Sequence, residues 1–365
     1  MSDFQILLLI AGGLAALVIG GEFLVRGATG LAVAAKVSSL VIGLTVVAYG
    51  TSAPELVVSI QAAATGSPEI AMANVVGSNI FNVLFILGIC GLIAPLAVSS
   101  QLLRIDVPVM IGASILVWIF ALSGKLAPWQ GLVLLVIIFS YTTFIIRRSR
   151  KETRKVKAEY DKALKDEKDE VAKFPIWLSL FFVALGLVVL VLGARWLVDG
   201  AVSLARRFGV SETIIGLTIV AGGTSLPELA ASAVATFRGE RDIAIGNIVG
   251  SNICNLLVIL GIAPIASNGL AVAPQLLQID IPVMVAAAIA CLPLFFVGLK
   301  FGRGEGFLFL LSYVSYATYL VLLTTGSAAR QGFESVMFTV VLPLAVALLL
   351  WIIWAKHTKA RRSRA

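Results

Sequence analysis

The stretch GTSAPELVVS, residues 50–59, places a helix-breaking Pro54 and an ionisable Glu55 inside a long apolar run. The pattern returns 173 residues later as GGTSLPELAAS, residues 222–232, with Pro227 and Glu228 in the matching places. A charged side chain at membrane depth is costly, so it marks a functional site by default. Here the same cost is met twice, in the same local frame.

The surroundings set the class. The chain has 365 residues, of which 59% are hydrophobic and 13% charged. A soluble domain carries about 25% charged residues, so this chain cannot cover a water-facing surface. Apolar runs of about 20 residues recur, the length of a membrane-spanning helix. The ten-residue alternating segments of a membrane barrel do not occur. Periodicity predicts helices over 4–24, 40–64, 69–93, 106–122, 128–147, 175–198, 213–236, 243–263, 280–299, 306–325 and 334–355. The N-terminal MSDFQILLLIAGGLAALVIGG has no basic region and no small-residue cleavage site, and reads as the first crossing rather than a removed signal.

The net charge of +8 points to no nucleic-acid partner once it is located. Eleven Lys and Arg lie in residues 147–174, five in the tail KHTKARRSRA, and four near Arg238–Arg241 and Lys300–Arg303. The opposing loops hold Lys125, Arg206, Arg207 and Arg330. The positive-inside rule therefore predicts an outside N-terminus and a cytoplasmic C-terminus, with an odd number of crossings. Cys90, Cys254 and Cys291 share no metal or redox spacing and read as small buried hydrophobes.

The repeat extends well beyond the glutamates. GLTVVAYGTSAPELVVSIQAAA (43–64) aligns with GLTIVAGGTSLPELAASAVATF (216–237), and IAMANVVGSNIFNVLFILGI (70–89) with IAIGNIVGSNICNLLVILGI (243–262). Twenty-seven of 42 positions are identical, and they include Thr, Ser, Pro, Glu and Asn, which hydrophobicity alone cannot produce. QLLRIDVPVM (101–110) matches QLLQIDIPVM (275–284) with a one-residue insertion between. Five crossings separate the two motif helices, so they run in opposite directions. The expected fold is an all-α polytopic membrane protein of two inverted-topology five-helix repeats, with an eleventh C-terminal helix. Residues 1–146 form the first repeat, 147–174 a charged cytoplasmic loop, 175–325 the second repeat, and 326–365 the extra helix and basic tail. Inverted repeats are a secondary-transporter design with the substrate at the midplane, between the repeats.

Thr51, Glu55 and Ser59 share one helix face at i, i+4 spacing, as do Thr224, Glu228 and Ser232. Pro54 and Pro227 lack an N–H, which frees the carbonyls of Gly50 and Gly223. Asn74, Ser78 and Asn82 form a polar stripe on the next helix, and Asn247, Ser251 and Asn255 repeat it. Every one of these groups offers oxygen, which suits hard cations such as Ca2+ and Na+ rather than transition metals. Two carboxylates at membrane depth need compensation. One Ca2+ supplies it, and so do two Na+, which makes an exchanger. Ser59 and Ser232 are expected to bond their own helix backbone. Asp106 and Asp280, each just before a Pro-containing helix start, are expected as N-caps.

At these residues the chain resembles the sodium/calcium exchangers of the cation/calcium antiporter superfamily, prokaryotic type. The paired GTSxPE and GSNIxN segments correspond to the family's two α-repeats, over residues 1–325. The resemblance implies a ten-helix core whose first and sixth helices slide against the rest, in a bacterial inner membrane, with no cofactor beyond the transported ions. It implies Glu55 and Glu228 as central carboxylates for Ca2+ and Na+. Thr51 and Thr224 would contribute carbonyl and hydroxyl oxygens. Ala48 and Ala221 would offer carbonyls to flanking Na+ sites, completed by Ser78 and Ser251, with Asn82 and Asn255 beside the central site. Relatives that require potassium carry Asp at the position of Asn255, so K+ independence is expected.

Four other readings are weaker. Proton-coupled Ca2+ exchangers carry a GNxxE-type motif, which is absent at Glu55 and Glu228. A K+-dependent exchanger conflicts with Asn255. An intramembrane enzyme needs a catalytic His or Lys at depth, and the single histidine, His357, lies in the tail. A passive channel would not require counter-ion exchange. External K+ is expected to leave Na+-driven Ca2+ flux into vesicles unchanged. Flux that requires K+ contradicts the reading of Asn255.

Overall fold

The structure is a computed structural model that describes residues 1–163, 175–210, 212–215, 219, 221–296, 299–336 and 339. Its helices are α1 (Asp3–Ala35), α2 (Ser39–Thr51), α3 (Ala53–Ala64), α4 (Pro68–Ile93), α5 (Leu102–Ala121), α6 (Pro128–Ala163), α7 (Ile176–Arg207), α8 (Glu212–Ile215), α9 (Ala221–Gly223), α10 (Leu226–Phe237), α11 (Arg241–Ala266), α12 (Leu276–Phe296), α13 (Arg303–Thr324) and α14 (Ala329–Val336). Among the described residues, eight helices are long and apolar enough to cross a membrane. The pair α2 and α3, bent by 45° at Ser52, makes a ninth. The protein is an all-α polytopic membrane protein. Its only strands among the described residues are two-residue ribbons: β1 (Leu96–Ala97) pairs antiparallel with β4 (Lys300–Phe301), and β2 (Lys125–Leu126) with β3 (Leu270–Ala271).

Several boundaries differ from the periodicity. The first helix does not stop near residue 24 but runs on to Ala35, past the Arg26–Glu22 pair at 2.7 Å, because no Pro or capping residue interrupts it. Lys36, in the left-handed conformation with φ 57°, ends it. The helix α6 continues through the basic run to Ala163, and residues 164–174 of the expected loop lie outside the described residues. Beyond Val336 the expected eleventh helix also lies outside them, apart from Thr339, as does His357.

Glycines set the closest approach in the fold. Gly13, Gly20 and Gly27 recur every seven residues on α1. A Cβ on them would lie 2.7, 2.7 and 2.6 Å from the backbone nitrogens of Leu197, Leu190 and Val183 of α7. Gly186 and Gly193 meet Leu24 and Ala16–Leu17 from the other side. Contacts that climb one helix descend the other, so α1 and α7 are antiparallel along a small-residue seam. Such seams hold membrane helices together, because lipid offers no hydrophobic driving force between them. Two further close approaches are reciprocal: Gly88 of α4 meets Gly306 of α13, and Gly261 of α11 meets Gly131 of α6.

Wide, π-helical turns interrupt the helices at Gly43–Val47, Phe81–Ile86, Leu102–Asp106, Asn255–Ile259 and Leu276–Asp280. Periodicity does not reveal them, since one inserted residue leaves the apolar stripe nearly intact. Such turns cluster at functional sites. They also overturn the N-cap reading of Asp106 and Asp280. Both helices have already begun at Leu102 and Leu276, so neither carboxylate faces free N–H groups. Asp106 instead accepts a hydrogen bond from Tyr141 at 2.9 Å, and Asp280 one from Tyr316 at 2.6 Å.

Gly20→Leu is expected to lower stability by about 1–3 kcal/mol or more through overpacking of the seam. Gly112→Ala, with nothing within 4 Å of its Cβ position, is expected to be near neutral. Thermal unfolding of the detergent-solubilised protein, followed by size-exclusion chromatography, compares the two.

Candidate cation site

Each motif Pro opens its helix, and the bend puts Glu55 in the first turn of α3 and Glu228 in the first turn of α10. Both side chains are fully buried. Each carboxylate is held by the opposite repeat. The Ser225 hydroxyl donates to Glu55 Oε1 at 2.9 Å, and the Ser52 hydroxyl donates to Glu228 Oε1 at 3.1 Å. These crossed bonds bring the two motifs against each other.

The polar stripes brace this pair from outside. Asn247 donates to Ser232 Oγ at 2.9 Å and to the Glu228 carbonyl at 3.4 Å, while its Oδ1 accepts from Thr51 at 3.1 Å. The mirror set is Asn74 to Ser59 Oγ at 3.0 Å and to the Glu55 carbonyl at 3.3 Å, with Thr224 at 3.5 Å from its Oδ1. Ser59 and Ser232 therefore bond the neighbouring stripe rather than their own backbone. Their hydroxyl oxygens accept the Asn N–H groups because the stripe helices α4 and α11 pack directly against α3 and α10.

Deeper in the bundle, Asn82 donates to Asn252 Oδ1 and Asn255 to Asn79 Oδ1, both at 3.1 Å. Glu55 Oε2, Glu228 Oε2, Asn82 Oδ1, Asn255 Oδ1 and Ser251 Oγ are buried without a hydrogen-bond partner among the described residues. Buried polar atoms are rarely left this way. Except for Ser251, these atoms are pure acceptors when the carboxylates are ionised. Partnerless, acceptor-only oxygens supplied by both repeats call for a cation. These atoms are all oxygens, the donor chemistry that suits a hard cation.

The structure thus joins Glu55, Thr224 and Ser78 in one hydrogen-bonded set, with Ser225 also 3.1 Å from Ser78 Oγ, and Glu228 with Thr51 in its mirror set. Asn82 and Asn255 sit in an amide cluster, and Ser251 is buried beside Asn252. The Ala48 carbonyl receives the Ser52 N–H at 3.0 Å and lies 3.3 Å from the Thr51 hydroxyl. Ala221 begins α9, one turn before Thr224. Sequence reasoning missed Ser52, Ser225, Asn79 and Asn252. The signal was available: they lie inside the GTS and GSN triplets that are identical in both repeats.

The two-fold pattern breaks at one place. A cavity of about 390 Å3 reaches Thr224 and Pro227 between α3 (Pro54, Val57, Val58) and α7 (Arg195, Asp199). On the equivalent side of the other repeat α1 closes on α10. There a Cβ at Gly21 would lie 2.9 Å from Val234, and Arg238 donates to both oxygens of Glu22, at 2.7 Å through Nε. Among the described residues, the cavity thus lies on the α3–α7 flank, and the matching flank at α1 and α10 is filled.

The fold and this site define a membrane cation transporter rather than an enzyme. A family profile described as sodium/calcium exchanger protein matches residues 5–147 and 178–322, so the chain belongs to the sodium/calcium exchanger family. It is 32% identical to the sodium/calcium exchanger MaX1 of Methanosarcina acetivorans, over 87% of this chain and 98% of that one. It is 34% identical to the inner membrane protein YrbG of Escherichia coli K12, over 72% and 80% respectively. Its fold matches that of the sodium-calcium exchanger NCX_Mj with a TM-score of 0.72 and 29% identity, covering 85% of this chain and 97% of the other. The chain is a cation/Ca2+ antiporter.

Ser52→Ala and Ser225→Ala each remove one hydrogen bond to a buried carboxylate. The apparent affinity for Ca2+ in vesicle uptake is expected to fall about 10- to 100-fold, from the roughly 1.5–3 kcal/mol of a hydrogen bond to a charged group. Unaltered affinity in both variants contradicts the cross-repeat bracing.

Proposed function

We propose that the chain exchanges Ca2+ for Na+ across the membrane, without K+, by alternating access. The observation that carries this reading is the set of four partnerless acceptor oxygens on Glu55, Glu228, Asn82 and Asn255. One Ca2+ neutralises the two carboxylates, and so do two Na+. Neutralised, the site can change its exposure. Empty, it keeps two like charges in a low dielectric, which costs several kcal/mol per ion and disfavours the transition. That difference is what ties the movement of one ion to the counter-movement of the other.

The proposed roles follow the geometry. Glu55 and Glu228 hold the central ion, Asn82 and Asn255 supply carbonyl oxygens beside it, and Thr51, Thr224, Ser78 and Ser251 form flanking sites with the carbonyls of Ala48 and Ala221. The close seam between α1 and α7 supports their sliding as one unit over the rest, which would close the cavity beside α3 and open its counterpart. Residues 1–146 and 175–325 act as the two repeats. The basic loops place the N-terminus outside and the C-terminus in the cytoplasm of a bacterial inner membrane. Arg207 bonds Asp3 and the Met1 carbonyl, so the C-terminal end of α7 lies on the N-terminal side of α1. The open flank then faces outward.

Radiolabelled Ca2+ uptake into proteoliposomes under imposed Na+, H+ and K+ gradients tests the coupling. The expected result is uptake driven by outward Na+ alone, and uptake driven only by a pH gradient overturns it. Glu55→Gln, and separately Glu228→Gln, are expected to abolish exchange nearly completely while the protein still inserts. Near-normal exchange in either variant refutes the site.

A further inference from the structure

A carboxamide has two ends of nearly equal shape and opposite polarity: one accepts, the other donates. At a cation site only the oxygen end is tolerated, so an Asn ligand needs something to hold its NH2 elsewhere. Asn79 and Asn252 are placed to do this. Asn79 Oδ1 takes the Asn255 NH2, and Asn252 Oδ1 takes the Asn82 NH2, each across the repeat boundary. Both acceptors are themselves pinned. Asn79 Nδ2 donates to the Asn252 carbonyl and Asn252 Nδ2 to the Asn79 carbonyl, each at 3.4 Å. The sulfurs of Met284 and Met110 lie 3.7 and 3.5 Å from the same two NH2 groups. All four amides are buried, so water cannot replace any of these bonds. With both NH2 groups taken up, what remains without a partner is Asn82 Oδ1 and Asn255 Oδ1.

We infer that Asn79 and Asn252 are positioning residues that lock the Asn255 and Asn82 carboxamides with their carbonyl oxygens toward the transported cation. The inference rests on the reading of Asn82 and Asn255 as cation ligands. Because each lock comes from the opposite repeat, neither repeat presents a complete ligand set alone. The crossing of α4 and α11 thereby sets the affinity of the site as well as its shape.

The test is a double-mutant cycle read as the KM for Ca2+ against the maximal rate in proteoliposomes. Asn79→Leu removes the acceptor and frees the Asn255 amide to turn. KM is expected to rise about 10- to 100-fold, the effect of one lost contact to a charged group, with the maximal rate largely kept. Asn255→Asp makes the two ends of the ligand equivalent, so no orientation needs holding. On that background Asn79→Leu is expected to change KM by less than about threefold. The same rise in both backgrounds overturns the inference, since a merely structural role would be indifferent to the partner. Should Asn79→Leu not insert, Asn79→Ser carries the same cycle, and Asn252→Ser with Asn82→Asp repeats it in the other half. An unchanged KM in Asn255→Leu overturns the ligand assignment together with the orientation built on it. A raised KM there, with none in Asn79→Leu or Asn79→Ser, overturns the orientation alone.

Discussion

Two buried carboxylates face each other's motifs, and among the described residues neither has an ion-pair partner. Glu55 and Glu228 each receive one hydroxyl from the opposite repeat, and each keeps a second oxygen with no donor among the described residues. Bringing two such charges out of water costs several kcal/mol apiece unless something cationic joins them. Most of the surrounding architecture serves this condition. The prolines open the helices so that the glutamates fall in a first turn. The Asn stripes hold the glutamate backbones and the motif hydroxyls. The wide turns beginning at Phe81 and Asn255 set the angle of the inner amides.

The second constraint is reciprocity. Ser52 and Ser225, Thr51 and Thr224, Asn74 and Asn247, and the two short β ribbons all make their contacts in matched pairs between the halves. In a two-fold arrangement residue i meets j and j meets i, so a change in one repeat is felt in the ligand set of both. The departure from this symmetry is as informative as the symmetry. The flank between α1 and α10 is shut by Gly21 against Val234 and by the Glu22–Arg238 ion pair. The flank between α3 and α7 holds the cavity instead. The repeat counterparts of Glu22 and Arg238 are Arg195 and Thr65, which cannot form an ion pair. The flank between α3 and α7 therefore cannot be shut by the same ion pair.

Much of this was open to reading from residues alone. Two matched GTSxPE segments in apolar surroundings mark the glutamates, and helical spacing puts Thr51 with Glu55 and Asn74 with Ser78 and Asn82. What could not be read were features that local pattern does not encode. The wide turns keep the hydrophobic stripe nearly unbroken, so Asp106 and Asp280 look like helix starts when they sit inside a continuous helix bonded to Tyr141 and Tyr316. The glycine seam was in plain view at seven-residue spacing, yet its partner helix is more than 150 residues away in the chain.

Composition and the internal repeat determined by themselves that this is an α-helical membrane transporter carrying two matched acidic motifs, because polarity and helical period are local properties. Tertiary packing alone decided which hydroxyl reaches which carboxylate and which way each amide faces. It also decided which flank is open. Those depend on atoms about 170 residues apart in sequence meeting within 3.5 Å, and two nearly identical repeats cannot announce in advance which of their equivalent crevices will be filled.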